Sequence, residues 1–410
     1  MGNPKKTWLL GLDYQVWILA AGRLLSQIGT GFTAFYAPIY FVNQVGLSAT
    51  QVGLALGSAS ISGVLGRFLG GTGADNPAWG RKKTLLTAAA VSAIADVALA
   101  AADNFELLVL GNLLMGLGIG LYWPATETVV ADLTTGNQRN EAFAVVRLAD
   151  NIGLGTGVML GGLIIATIEN YRLLFVLDGI SFVVFFGVIW VAIAETYQAH
   201  DETKSQGNSW LLALRDRRLL IYMAVNIIFT LYIAQIQSTA PLYLTNFVGF
   251  SPQVISGLFA WHIVFASICQ LPIARSLNFL SRPRALMVSL LLWGIGFTVM
   301  GGTALTALPV LLGAIVSLGI LALATDAYTP AASALVVDLA PVSQRGIYLA
   351  LNSQCWAIGY LIGPPLGGWA LDQGPAIAHS FWLAAAVSIV PCLLVLRYLE
   401  NLTKPKRTES

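Results

Sequence analysis

The sequence predicts an all-α membrane protein: twelve transmembrane helices in two pseudo-symmetric six-helix bundles, with both termini in the cytoplasm. Three observations carry that expectation. The 410 residues hold only 42 charged side chains (22 basic plus 20 acidic), while 56% of the chain is hydrophobic and mean hydropathy is +0.73. A soluble globular chain is about 25% charged; this one is 10% charged. The charges gather into short islands separated by apolar runs of about 20 to 27 residues, the length a helix needs to cross hydrocarbon. Finally, the chain repeats itself at a constant offset of 206 residues. Together these exclude a soluble enzyme, a disordered chain and a disulfide-stapled secreted domain. A net charge of +2 offers no footprint for nucleic acid.

The spans follow in order. The first, residues 15–42, comes after MGNPKKTWLLGLDYQVW, whose two lysines and lack of a small-residue cleavage site mark a cytoplasmic start and not a removed signal peptide. Spans two (49–73) and three (84–102) flank a basic island, Arg81 to Lys83. Span four (106–131) contains Pro124, span five (142–167) is glycine-rich, and span six (172–194) is strongly apolar. The polar stretch 195–218 then divides the chain, and within it Trp210 to Leu214 reads either as a short interfacial helix or as linker. Spans seven to twelve are 219–245, 252–277, 285–304, 308–334, 347–371 and 378–398. The expected domains are therefore 1–195, a cytoplasmic linker 196–218, and 219–410 with a cytoplasmic tail.

An even number of spans puts both termini on one side, and Lys and Arg select which. Eighteen of the 22 basic residues fall on the face that holds the termini, Lys5, Lys6, Lys204, Lys404, Lys406 and Arg407 among them. Arg172 alone falls on the other, and Arg23, Arg67 and Arg147 lie within spans. Cys269, Cys355 and Cys392 all sit in apolar runs and read as packing residues, not as a disulfide framework.

The repeat pairs Tyr122 with Tyr328, Pro124 with Pro330, Asp132 with Asp338, and Gln138-Arg139 with Gln344-Arg345. Gly153, Gly157, Gly161 and Gly162 pair in the same register with Gly359, Gly363, Gly367 and Gly368. Residues of such different chemistry sharing one offset point to a duplicated six-helix unit. Parallel repeats of this kind are a secondary-transporter plan, with the substrate site at the repeat interface near mid-membrane. Glycines four apart line one helical face and let a neighbouring backbone approach. Taken singly, either copy is ordinary packing; two copies suggest faces that slide or rock.

On these residues the chain resembles the major facilitator superfamily, and within it the twelve-helix drug:proton antiporter-like branch. Gly71-Thr72-Gly73-Ala74-Asp75 followed by Gly80-Arg81-Lys82-Lys83 resembles that superfamily's loop motif, with Asn76-Pro77-Ala78-Trp79 between the two parts. The run Gly153 to Gly162 resembles the antiporter motif with Val158 in place of proline, while Gly359 to Gly368 has the full form with Pro364 and Pro365. Span four carries Asn112 where that branch often has arginine. The resemblance implies a cytoplasmic gate at Gly71, Asp75, Gly80, Arg81 and Lys82, joined by Arg139 and Arg345 of the repeated Gln-Arg pair. In the gate a carboxylate pairs with a helix N-terminus or a loop arginine in one conformation and loses it in the other.

Eight charges remain inside spans, and an ionisable group there is a functional candidate by default. Arg67 lies within snorkelling reach of the cytoplasmic end. Asp178 is near the outer end of span six, in a position to cap or face water; Asp96 is deep in span three, with no face assigned. Arg23, Glu127, Arg147, Asp150 and Asp326 lie on spans one, four, five and ten, which the resemblance assigns to the cavity and its flank. Two readings stand. Glu127–Arg147 and Arg23–Asp150 are fixed ion pairs, or at least one carboxylate exchanges its proton or its arginine during transport. Gln27, Tyr122, Trp123 and Asn151 accompany them. The second half offers neutral groups, Asn226, Gln235, Gln237, Trp261, His262, Tyr328, Asn352 and Trp356, which suit a small amphipathic or hydroxylated ligand or serve as interhelical hydrogen bonds.

There is no Gly-Lys pair and hence no P-loop, no HExxH, no Cys/His metal cluster and no Gly-x-Ser-x-Gly elbow. The sequence therefore reads as a transporter, not an enzyme, with no cofactor and no metal. It sits in a bacterial cytoplasmic membrane and works as a monomer, with lipid, a small-molecule solute and protons as its partners. Proton-coupled export by alternating access is the first reading, uptake or uniport the second, and a non-transporting assembly scaffold the third.

Overall fold

A computed structural model of the protein describes residues 12–134, 137–196, 213–303, 309–341 and 344–403. Lys5, Lys6, Lys204, Trp210 to Leu212, Lys404, Lys406 and Arg407 lie outside the described residues. Among the described residues the chain is helical throughout, because a backbone in hydrocarbon satisfies its N–H and C=O groups only within its own helix. The helices are α1 (Tyr14–Ala34), α2 (Ala37–Asn43), α3 (Ala49–Asp75), α4 (Gly80–Ala101), α5 (Phe105–Leu133), α6 (Asn137–Ile168), α7 (Arg172–Ala192), α8 (Arg217–Asn246), α9 (Pro252–Ser276), α10 (Arg282–Gly302), α11 (Val310–Leu339), α12 (Arg345–Asp372), α13 (Pro375–Val387) and α14 (Ile389–Thr403).

Twelve expected spans become fourteen segments because the first and last are broken. Pro38 cannot donate to the Ala34 carbonyl, and the chain turns at Phe35–Tyr36 between α1 and α2. Pro391 has the same effect on Val387, at the step from α13 to α14. The starts are capped as local chemistry dictates. Ser48 and Gln51 close a capping box on α3, and Asn104 and Asp216 accept from Leu107 N and Arg218 N to open α5 and α8. Among the described residues ten helices are long and apolar enough to cross a membrane, with α13 and α14 taken together. The two that fall short are α1 and α12, which carry Arg23, Ser26, Gln27 and Thr30, and Asn352, Ser353 and Gln354. Their polarity is the mark of helices that do more than face lipid.

The chain divides into two compact units. One is Met1–Glu202 with Ser251–Ala260; the other is Thr203–Phe250 with Trp261–Ser410. The start of α9 joins the first unit because Phe259 stacks on Phe35 at 4.5 Å and Ser256 meets the Tyr36 hydroxyl. In the first unit α1 packs on α6 and α7, α4 on α5 and α7, and α3 on α5. In the second, α8 packs on α12, and α10 on α11, α13 and α14. All three cysteines are free; Cys355 and Cys392 are buried.

The repeated glycines make close crossings of α6 on α1 and of α12 on α8. A Cβ at Gly157 would fall on the Ile28 carbonyl and 2.9 Å from Gly31 Cα, and one at Gly153 would lie 2.7 Å from Gln27 Cβ. Gly161 faces the Tyr36 ring. Their partners in the repeat behave alike on α12: Gly359 faces Thr230, Gly363 faces Ala234 and Gly367 faces Thr239, all on α8. A third seam, absent from the sequence reading, joins α3 to α5, where Gly66 and Gly120 meet backbone to backbone. Gly71, in contrast, meets nothing within 4 Å. Gly157→Val is therefore expected to cost about 1–3 kcal/mol and Gly71→Ala under about 0.5 kcal/mol, read as melting of the purified protein in detergent.

Candidate functional site

The first unit gathers its intramembrane charges around α1. Arg23 Nε lies 2.5 Å from Asp150 Oδ1 on α6, and Gln27, one turn later on α1, also bonds to Asp150. The Arg23 guanidinium sits 4.4 Å from the Tyr122 ring centroid and 5.1 Å from that of Trp123, both on α5. A cation held between a carboxylate and two aromatic faces is well stabilised where water is scarce. Asn151 is exposed beside Asp150.

The companion pair Glu127–Arg147 does not form: among the described residues neither side chain has an ion pair within 4 Å. The third seam explains this. It draws α5 onto α3, so that Arg67 acts on Glu127 more strongly than Arg147 does. Both Arg67 and Arg147 are left uncovered by protein. Asn112, in the position where arginine is common, donates to Leu108 O of its own helix. Asp178 and Asp96, near the opposite end of the unit, neither face water nor lie against lipid; both are 1% exposed.

In the second unit, Asn226 links α8 to two neighbours. Its Nδ2 donates to Asn352 Oδ1 on α12 at 2.8 Å, and its Oδ1 accepts from Tyr328 on α11 at 2.6 Å. Tyr222 donates to the same Asn352 oxygen, and Trp356 lies 6.3 Å from the Tyr328 ring. Asp326, on α11, is buried with one oxygen unpartnered. The remaining polar candidates are committed to packing: Gln235 Nε2 donates to Gly363 O, Trp261 Nε1 to Ile315 O, and His262 Nδ1 lies 2.9 Å from Leu318 O. Tyr360, which sequence reasoning missed, donates to Gln237 and stacks on Trp356.

The loop motif is built around Arg81. Its Nε meets Asp132 Oδ2 at 3.1 Å, its Nη1 donates to Ala74 O at 2.6 Å, and Asp75 lies at 3.5 Å with its side chain 74% exposed. The carboxylate at the N-terminus of α4 is Glu195, which accepts from the backbone N–H groups of Arg81 and Lys82. Gly80 has φ +78°, and a Cβ there would strike Glu195. Thr196 donates to Asp132, and Arg139 closes the end of α5 through the Ala131 and Thr134 carbonyls. The second unit repeats the pair as Arg282–Asp338 at 3.5 Å; Arg345 is exposed. The 206-residue match of Asp132 with Asp338 signalled the acid of this pair, while Arg282 stands 201 residues after Arg81, outside that register. Glu195 had no such signal, since it arrives from the far end of span six.

At the opposite end of the first unit Tyr40, Gln44, Asp103, Glu169, Tyr171 and Arg172 line an open cleft of about 500 Å³. Arg172 Nε donates to Tyr40 at 2.6 Å, and burial pushes the Tyr171 phenol up from its ordinary pKa.

With this geometry in hand, the family is decided by the sequence profile of the Major Facilitator Superfamily, which matches residues 19–261 and 236–410. The chain belongs to that superfamily. It is 28% identical over 347 residues to multidrug resistance protein MdtH of Citrobacter koseri, covering 83% of this chain and 82% of that protein. To MdtH of Yersinia enterocolitica it is 26% identical over 361 residues, 87% of each chain. Among solved structures, nucleoside transporter NupG superposes with a TM-score of 0.79 at 15% identity, over 95% of this chain and 99% of that one. A mutant of the peptide transporter POT, in complex with alafosfalin, gives 0.77 at 16% identity over 98% of both. This superfamily member is thus a multi-pass membrane transporter of small molecules and not an enzyme.

Because Asp132 is mostly covered and holds both Arg81 and Thr196, Asp132→Asn is expected to cost about 1–3 kcal/mol. Asp75→Asn, at an exposed pair, is expected to cost less than about 0.5 kcal/mol. Thermal melts of the two variants side by side check the contrast.

Proposed function

We propose that this transporter exports a small organic solute across the bacterial inner membrane in exchange for protons, by alternating access, as a monomer with both termini in the cytoplasm. The observation that carries the reading is Asp150 held by Arg23 and Gln27, with Tyr122 and Trp123 under the guanidinium. Proton exchange needs a carboxylate whose charged state depends on a partner that can leave. Arg23 is such a partner because the aromatic faces retain it when Asp150 is neutral. Glu127, unpaired and uncovered, is the second candidate carrier. Export is supported by the multidrug resistance proteins among the relatives. The neutral cluster of Asn226, Tyr328, Asn352 and Trp356, with Tyr360, supplies orienting donors and ring faces for an amphipathic solute.

Uptake or uniport is the second reading, and Asn112 and Val158 favour it. The first is bonded within its own helix, and the second replaces the proline of the antiporter pattern.

Flux of a fluorescent lipophilic cation in proteoliposomes, driven by an imposed pH gradient, tests the proposal. Asp150→Asn is expected to lower flux about tenfold or more, the equivalent of about 1.4 kcal/mol. Full gradient-driven flux in both Asp150→Asn and Glu127→Gln would remove these two carboxylates as the proton carriers, and wild-type flux indifferent to the gradient would remove proton coupling and favour uniport.

A further inference from the structure

A second buried acidic site lies in the first unit, away from Arg23 and Asp150. Asp178, on α7, has Oδ2 3.1 Å from the Thr33 hydroxyl of α1, and Ser181 donates to its Oδ1. Gly29, one turn before Thr33, lets α1 pass directly over both groups: a Cβ there would strike Asp178 Oδ1 and Ser181 Oγ. Asp96 approaches from α4 on the other side, its Cβ 3.2 Å from where a Cβ of Gly179 would stand, close enough for the two carboxylates to act on each other. Asp96 is 1% exposed, and neither of its oxygens has a hydrogen-bond partner.

No basic side chain answers these two acids among the described residues. On the four helices packed there, Arg23 is bound to Asp150 and Arg172 donates to Tyr40. Arg81, Lys82 and Lys83 are at the far end of α4, and the acids of α5 are Glu106, in its first turn, and Glu127 and Asp132, near its last. The tyrosines of α1 and α5, Tyr14 and Tyr122, lie in the same distant half as Arg23. Two carboxylates in a dry interior cannot both remain charged without a compensating cation. The donor set is all oxygen, two carboxylates and two hydroxyls, which suits a small hard cation. Among the described residues there is no group of three or more acidic, His or Cys side chains to hold a multivalent metal.

We propose that Asp96 and Asp178, with the hydroxyls of Thr33 and Ser181, bind one cation of unit charge, a proton or a sodium ion, at a site separate from Asp150. This assignment does not depend on the direction of transport or on coupling at Asp150.

The test is melting of the full-length protein in detergent, titrated from about pH 6 to about pH 9 in choline chloride and, at the alkaline end, with sodium chloride replacing choline. A cation that binds only the folded state raises Tm with its concentration. Wild type is therefore expected to lose several degrees as pH rises in choline. Sodium restores the loss, saturably, if it occupies the site, and leaves it unchanged if the proton does. Asp96→Asn is expected to abolish the response, with Asp178→Asn as a second variant should the first fail to fold; Asp150→Asn is expected to keep it. A wild-type Tm indifferent to both pH and sodium, or an undiminished response in Asp96→Asn or Asp178→Asn, overturns the proposal. Loss of the response in Asp150→Asn alone would assign it to Asp150 and overturn it equally.

Discussion

Hydrocarbon supplies no hydrogen bonds, so every polar group this chain carries into the membrane must be answered from within the protein. The helical backbone meets the first part of that demand. Side chains meet part of the rest by crossing from one helix to the next: Arg23 to Asp150, Asn226 to Asn352 and Tyr328, Gln235 to Gly363 O, Ser289 to Ala324 O. Each such bond requires two helix axes to come near one another, and glycine makes that possible. The seams of α6 on α1 and of α12 on α8 place backbone against backbone. They bring Asp150 to Arg23 and Asn352 to Asn226 as a direct consequence.

Duplication gives the two units one plan and lets them differ in chemistry. Both keep the glycine seam, and both keep an arginine at the start of one helix paired with an aspartate at the end of the next: Arg81 with Asp132, Arg282 with Asp338. The first version is buried and elaborated with Ala74 O, Glu195 and Thr196; the second is exposed and bare. The interiors diverge further. The first unit has ionised partners under aromatic rings, whereas the second has amides and phenols.

The helices, their order and the duplicated plan were legible because they follow from one-dimensional quantities: the length of apolar runs and identity at a fixed offset. Breaks at Pro38 and Pro391 were overlooked because the apolar pattern runs through them. The Arg23–Asp150 pair was readable as a possibility, since both residues are costly in a membrane. Glu127–Arg147 looked equally good, and the seam of Gly66 and Gly120 decided against it by pulling α5 toward α3.

The sequence by itself determined the fold, the superfamily resemblance and the short roster of intramembrane charges, because hydropathy and spacing are properties of the chain alone. Only the tertiary structure decided which of those charges meet. Glu195 reaches the start of α4 from the end of α7, Asp96 finds Asp178 and no base, and His262 is bound to a backbone carbonyl. These outcomes depend on helix rotation and axial offset within each unit. Close packing at a few glycines fixes both, and periodicity leaves them undetermined.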